Sequence, residues 1–282
     1  MLWSGCARAT ALVCTAAPGL PLPEEIVETS GAAWSGREAG LFWTHNDGRE
    51  GVLYAVDTTG ALRARVELEG ARIRDAEDLA AAPCGDSHCL YLADTGDNQE
   101  RRSTVQILRL EEPTLEARAA TVDRFPVSFP GGPRDVEALV VLSGERIYLV
   151  SKGRREPITV YRYPGPLQPD SLVVLEPVRA LDDDPPAFAS RISGASAVPG
   201  RDDLLLIRSY ERLRLVEMGE DGPTPYPDGE LNLIPLLEAQ GEAVAVRADG
   251  RVILTSEAGP LTPMPGMRLL QCTFPPERTS GG

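Results

Sequence analysis

Apolar residues recur along this chain in short runs of five or six, and the runs come in pairs separated by a turn. The first member of a pair starts on a small or acidic residue, and the second ends on polar ones. Ser30 to Trp34 pairs with Leu41 to Asp47, and Ala76 to Ala81 with Leu90 to Asp94. Val136 to Val141 pairs with Ile147 to Lys152, Ser193 to Val198 with Leu204 to Arg208, and Gly241 to Val246 with Val252 to Glu257. The five copies are spaced 46 to 60 residues apart. Behind most copies come two further strand-like runs, such as Val52 to Val56 and Ala61 to Val66, joined by the turn Asp57-Thr58-Thr59-Gly60.

Four strands per repeat at this period is the signature of a β-propeller blade. The sequence therefore predicts an all-β, five-bladed propeller, with six blades if a long interval hides a degenerate one. The fifth repeat has a third strand, Met267 to Phe274, and lacks a fourth. The run Glu25 to Thr29 is the expected donor of that strand, closing the ring from the N-terminal side. Residues 24–282 are expected to form one domain, a monomer, with residues 1–23 a signal remnant or tether. The 27 glycines and 25 prolines are spread along the whole chain, as many tight turns require.

In a propeller the first strand of each blade lines the central channel and the second runs back antiparallel. Strand-one starts and strand-two ends then share one channel mouth. The strand-one position carries Gly31, Glu77, Glu137, Gly194 and Glu242. The strand-two ends bring His45, Asn46 and Asp47, then Asp94 to Asn98, Lys152, Arg208 with Tyr210, and Glu257. Three glutamates on one axis repel each other and need a cation, raised pKa values or basic partners. Carboxylates with carboxamide oxygens are hard ligands suited to calcium, so Glu77, Glu137, Glu242, Asn46, Asp94 and Asn98 form the candidate metal set. Ion pairing of the ring by Lys152, Arg208 and Arg101 is the competing expectation. For a hydrolytic reaction, His45 or Asp97 would take the proton and Arg208 or Lys152 would stabilise an oxyanion.

Composition narrows the classes. With 42% apolar and 25% charged residues the chain can bury a core, and a net charge of −14 repels nucleic acid and anionic lipid. No apolar run is long enough for a transmembrane helix. Lys152 is the only lysine. With two histidines, a three-histidine metal site is excluded, and the glycine-rich nucleotide, zinc-protease and serine-hydrolase motifs are absent. Cys84 and Cys89 flank a Gly/Asp/Ser turn that would bring two sulfurs together in an oxidising compartment; elsewhere they are two separate thiols. Leu2 to Cys6 resembles the end of a bacterial lipoprotein signal, with a lipid anchor on Cys6 if the leader starts upstream of Met1 and an ordinary cysteine otherwise.

Phe42 to Asp47, Asp75 to Ala80, Leu92 to Asn98 and Asp135 to Leu139 resemble motifs of an uncharacterised family of exported bacterial propeller proteins, a likeness running from about Glu25 to Phe274. That family is similar in architecture to calcium-dependent phosphotriesterase, gluconolactonase and phytase-like propellers. The resemblance implies a channel-mouth calcium polarising an ester, lactone or phosphoester in a periplasmic, cell-surface or secreted protein. A non-catalytic envelope protein, binding a small molecule or a protein partner at the same mouth, is the alternative.

Overall fold

The computed structural model describes residues 11–219, 221–260 and 264–276. Cys6 lies outside them. Two short strands come first, β1 (Val13–Ala16) and β2 (Leu20–Pro21). Blade 1 is β3 (Thr29–Trp34), β4 (Leu41–Asn46), β5 (Val52–Asp57) and β6 (Leu62–Glu69). Blade 2 comprises β7 (Asp78–Cys84), β8 (Ser87–Asp94) and β9 (Val105–Glu111). The chain then visits the rim of blade 1 as β10 (Ala119–Thr121), parallel to β6, and returns as β11 (Asp123–Ser128).

Blade 3 holds β12 (Val136–Leu142), β13 (Arg146–Ser151), β14 (Thr159–Arg162) and β16 (Glu176–Ala180), and lends β15 (Val173–Val174) to the rim of blade 2. Blade 4 is β17 (Ile192–Val198), β18 (Arg201–Ser209), β19 (Arg212–Gly219) and β20 (Gly222–Asn232). Blade 5 is β21 (Gln240–Val246), β22 (Arg251–Glu257) and β23 (Gly266–Thr273). The inner strands β3, β7, β12, β17 and β21 adjoin one another in a closed ring, so the five-bladed expectation holds.

The outer strand of blade 5 is β1, antiparallel to β23, and not Glu25 to Thr29. Cys14 lies opposite Cys272 in that register, and a disulfide joins them across 258 residues of sequence. The stretch expected as a tether therefore includes a blade strand. Residues 25–28 precede β3, with Ile26 fully buried between blades 1 and 5. The second disulfide, Cys84–Cys89, spans the turn between β7 and β8 as the spacing suggested.

Five apolar clusters hold the ring, one at each junction between neighbouring blades. Each inner strand faces a neighbour on both sides, which is why β12 reads as an unbroken apolar run around Glu137 and is buried throughout. The two repeats with glycine in place of glutamate have the same packing cause. A Cβ on Gly31 would stand 2.2 Å from the Leu79 nitrogen, and one on Gly194 2.9 Å from the Glu242 carbonyl oxygen. Asp78, fully buried in the ring, accepts N–H bonds from Leu79, Leu139 and Ala195, tying blades 2, 3 and 4 at the hub.

Candidate functional site

The acidic mouth forms where inner strands start and second strands end. Glu77, Asp135 and Glu137 each bring a carboxylate oxygen within 4.8 Å of the others, and Asp47, Asp75 and Glu77 do the same. Glu77 belongs to both groups. Glu242 is near enough to Glu137 for their charges to interact, and Gln240 donates to its Oε1 at 2.7 Å. The three glutamates that share a repeat position thus meet at one mouth.

Lys152 is the cation there, with Nζ 2.8 Å from Glu137 Oε2 and Tyr210 alongside. Its ammonium is held charged by Glu137. One lysine does not neutralise the cluster. Burial, then mutual repulsion, raises Glu77 well above the usual carboxylate range, and burial pushes Glu242 up to about 8. Burial likewise lifts Asp75 to about 6 and Glu257 to about 7. Two buried oxygens in this region, Asp47 Oδ1 and Glu137 Oε1, have no hydrogen-bond partner among the described residues. Orphaned buried acceptors are costly, and a hard cation is one ligand that satisfies carboxylate oxygens held this way.

Several expected site residues are already committed elsewhere. His45 is fully buried; its Nε2 accepts from the Gly31 N–H and its Nδ1–H donates to the Asn46 carbonyl. Burial lowers its pKa to about 4, and neither nitrogen is free to take a substrate proton. Asn46 is turned the other way along β4, accepting from Val27 and Glu28 and donating to the Glu25 carbonyl and to Glu50. Asp94 accepts from the Arg74 and Asp75 amides, Arg102 and Gln106. Asn98 is exposed and accepts from Arg154.

Asp97 Oδ2 accepts the amides of Arg101 and Arg102 and shapes the turn after β8. Arg208 has no exposed surface; it donates to the Ala243 and Thr255 carbonyls and to Glu238, locking blade 4 to blade 5 instead of facing the mouth. Of the cations expected to neutralise the ring only Lys152 does so, since Arg208 pairs with Glu238 and Arg101 has no ion pair among the described residues.

The donors to be added are Asp47, Asp75 and Asp135. A repeated signal marks two of them, because Asp75-Ala76-Glu77 and Asp135-Val136-Glu137 place an aspartate two residues before the ring glutamate in consecutive blades. Asp135 is the more committed of these, accepting from the Asp97 amide and Arg154. Among the described residues Asp47, Asp75 and Glu77 have no ion pair, which makes them the group that best fits a cation, with Glu137 joined to it through Glu77.

No protein-family model matches the sequence, and no curated protein matches it. Solved structures do match. The PQQ-bound aldose sugar dehydrogenase of Streptomyces coelicolor aligns with a TM-score of 0.56 at 12% identity, over 95% of this chain and all of that one. The Malassezia sympodialis allergen Mala s 1 gives 0.56 at 10% identity, over 87% of this chain and 92% of the other. A glucose dehydrogenase gives 0.52 at 11%, over 90% and 99%. At such identities the likeness is one of fold: this chain shares a β-propeller architecture with them.

Proposed function

We propose that this is an exported propeller whose acidic mouth binds a divalent cation, and that the cation is calcium. The carrying observation is a pair of carboxylate triads that share Glu77, one with Asp47 and Asp75 and one with Asp135 and Glu137, in which two buried oxygens, Asp47 Oδ1 and Glu137 Oε1, lack a partner among the described residues. All-carboxylate donors with no histidine or cysteine among them favour a hard ion over zinc. Glu242 would sit beside the ion rather than on it, since Gln240 already engages it. Two disulfides support an oxidising compartment, and no helix among the described residues is long and apolar enough to cross a membrane.

Binding is the reading the geometry favours. His45, Asp97 and Arg208 are held by structural bonds, leaving Lys152 as the one expected catalytic group at the mouth. Lys152 is also what supports the second reading, hydrolysis of an ester, lactone or phosphoester, because a charged ammonium there could steady a developing oxyanion. Bound calcium would supply Lewis acidity and an acidified water.

The test is calcium titration into EDTA-treated protein by calorimetry and thermal melting. A ligand at a hundred times its Kd stabilises the native state by about 2.7 kcal/mol. Glu137→Gln should weaken binding strongly and Asn98→Ala should leave it unchanged. No heat of binding, with superimposable melts in calcium and EDTA, would overturn the cation reading. Turnover of generic esters, lactones and phosphoesters by the calcium form separates the two readings.

A further inference from the structure

Beside the carboxylates, between the loop leaving β4 and the turn joining β8 to β9, lies a cavity of about 720 Å3 whose lining includes Arg49, Arg74, Arg101 and Arg102. In a chain of net charge −14 whose arginines mostly pair with carboxylates, this concentration is unusual. Arg49, Arg74 and Arg101 are exposed, line the cavity, and have side chains with neither ion pair nor hydrogen bond among the described residues. Arg102 is different: its side chain is 8% exposed, its terminal nitrogens are fixed on Gly96 and Asp94, and its Nε–H is buried without a partner. The Asp97 carboxylate holds the Arg101-Arg102 pair in place by accepting both their amides.

The cavity and the cation site share a wall. Asp75 lines the cavity and belongs to the Asp47, Asp75, Glu77 group. Gly96 also lines it, and a Cβ there would stand 2.0 Å from Glu77 Oε1, so only glycine lets the glutamate lie against this turn.

We propose that this cavity is a subsite for a phosphoryl group, so that the ligand of the mouth is a phosphate monoester or phosphonate. The inference rests on the cation reading in one respect, the coupling between the two sites. Three unpaired guanidiniums offer more donors than a carboxylate can accept, whereas a phosphoryl dianion has three terminal oxygens and about two charges. A neutral lactone has no use for them. Without a cation the carboxylates of Asp47 and Asp75 would repel that dianion, and a cation on the Asp47, Asp75, Glu77 group would remove the repulsion, so each ligand should tighten the other.

Phenylphosphonate is a suitable probe, titrated into protein in EDTA and in sub-millimolar calcium, with benzoate as the carboxylate of matching ring. Phenylphosphonate should bind several-fold tighter with calcium present, and benzoate much more weakly than either. Arg74→Gln/Arg101→Gln, both at exposed positions, should weaken phosphonate binding about tenfold or more with an unchanged melt and unchanged calcium affinity. Undiminished binding to that variant, equal binding of benzoate, or no phosphonate binding at all overturns the subsite, even where calcium binds normally. Arginine-dependent phosphonate binding in a protein that takes up no calcium supports the subsite and removes the cation reading instead.

Discussion

Breaking the Cys14–Cys272 bond should cost this protein far more than breaking Cys84–Cys89. A cross-link stabilises largely by restricting the unfolded chain, with an entropy that grows as the logarithm of the loop it closes. For a separation of 258 residues the chain-entropy relation gives about 5.5 kcal/mol, and for a separation of 5 it gives about 2 kcal/mol. With an unfolding entropy of about 2.1 cal/mol/K per residue over 282 residues, these become losses of about 9 °C and about 3 °C in Tm. Cys84→Ala/Cys89→Ala protein, melted with and without reductant, isolates the ring bond, while wild type against that variant under oxidising conditions isolates the turn bond. The larger loss should come with reductant. Equal losses in the two comparisons, or no response to reductant once the turn cysteines are gone, would show that β1 is held by its ladder and packing alone and that ring closure carries no entropic stabilisation.

Two further outcomes concern buried ionisable groups. His45 titrates near 4 in the native state against 6.5 unfolded, so the unfolded state takes up a proton first as pH falls and stability drops between about 6.5 and 4, by about 3 kcal/mol in all. Glu242, raised from 4.5 to about 8, acts the other way: its contribution is fully present below about 4.5 and is lost as pH rises from there to about 8. Between about 4.5 and 6.5 the two slopes oppose each other, so the His45 part is read against His45→Gln, whose denaturant midpoint should gain on that of wild type as pH falls through this window; parallel curves for the two proteins would refute the assignment. Asp78→Asn replaces one carboxylate oxygen with an NH2 donor, set either against the Leu79 N–H or against those of Leu139 and Ala195, and should destabilise by about 1–3 kcal/mol, read by chemical unfolding, with a change below a few tenths counting against its role at the hub.

The blades were legible because inner strands buried on both sides must be apolar along their length, so the repeat shows in Val136 to Val141 and Gly241 to Val246 without reference to structure. The ring glutamates were legible for the same reason: Glu77, Glu137 and Glu242 interrupt otherwise apolar repeats at one position. Which strand closes blade 5 was not. Val13–Ala16 is four residues long among prolines, and a bond to Cys272 across 258 residues leaves no trace in local spacing. Side-chain direction at the strand ends was equally hidden. Asn46 and Asp47 are neighbours on the chain, yet the first is consumed by backbone groups of residues 25–28 while the second keeps an unpartnered oxygen. A polar residue at a mouth can serve the turn or the ligand, and composition does not distinguish them.

The borrowed strand β1 also makes the molecule exchangeable between copies. Whatever lifts Val13–Ala16 from its place uncovers the edge of β23, whose free N–H and C=O groups match an identical strand from another molecule as well as their own. Reoxidation at high protein concentration would then seal Cys14 of one copy to Cys272 of the next, giving covalent chains of intact propellers. Refolding yield should accordingly depend on dilution, with disulfide-linked ladders on non-reducing gels as the by-product.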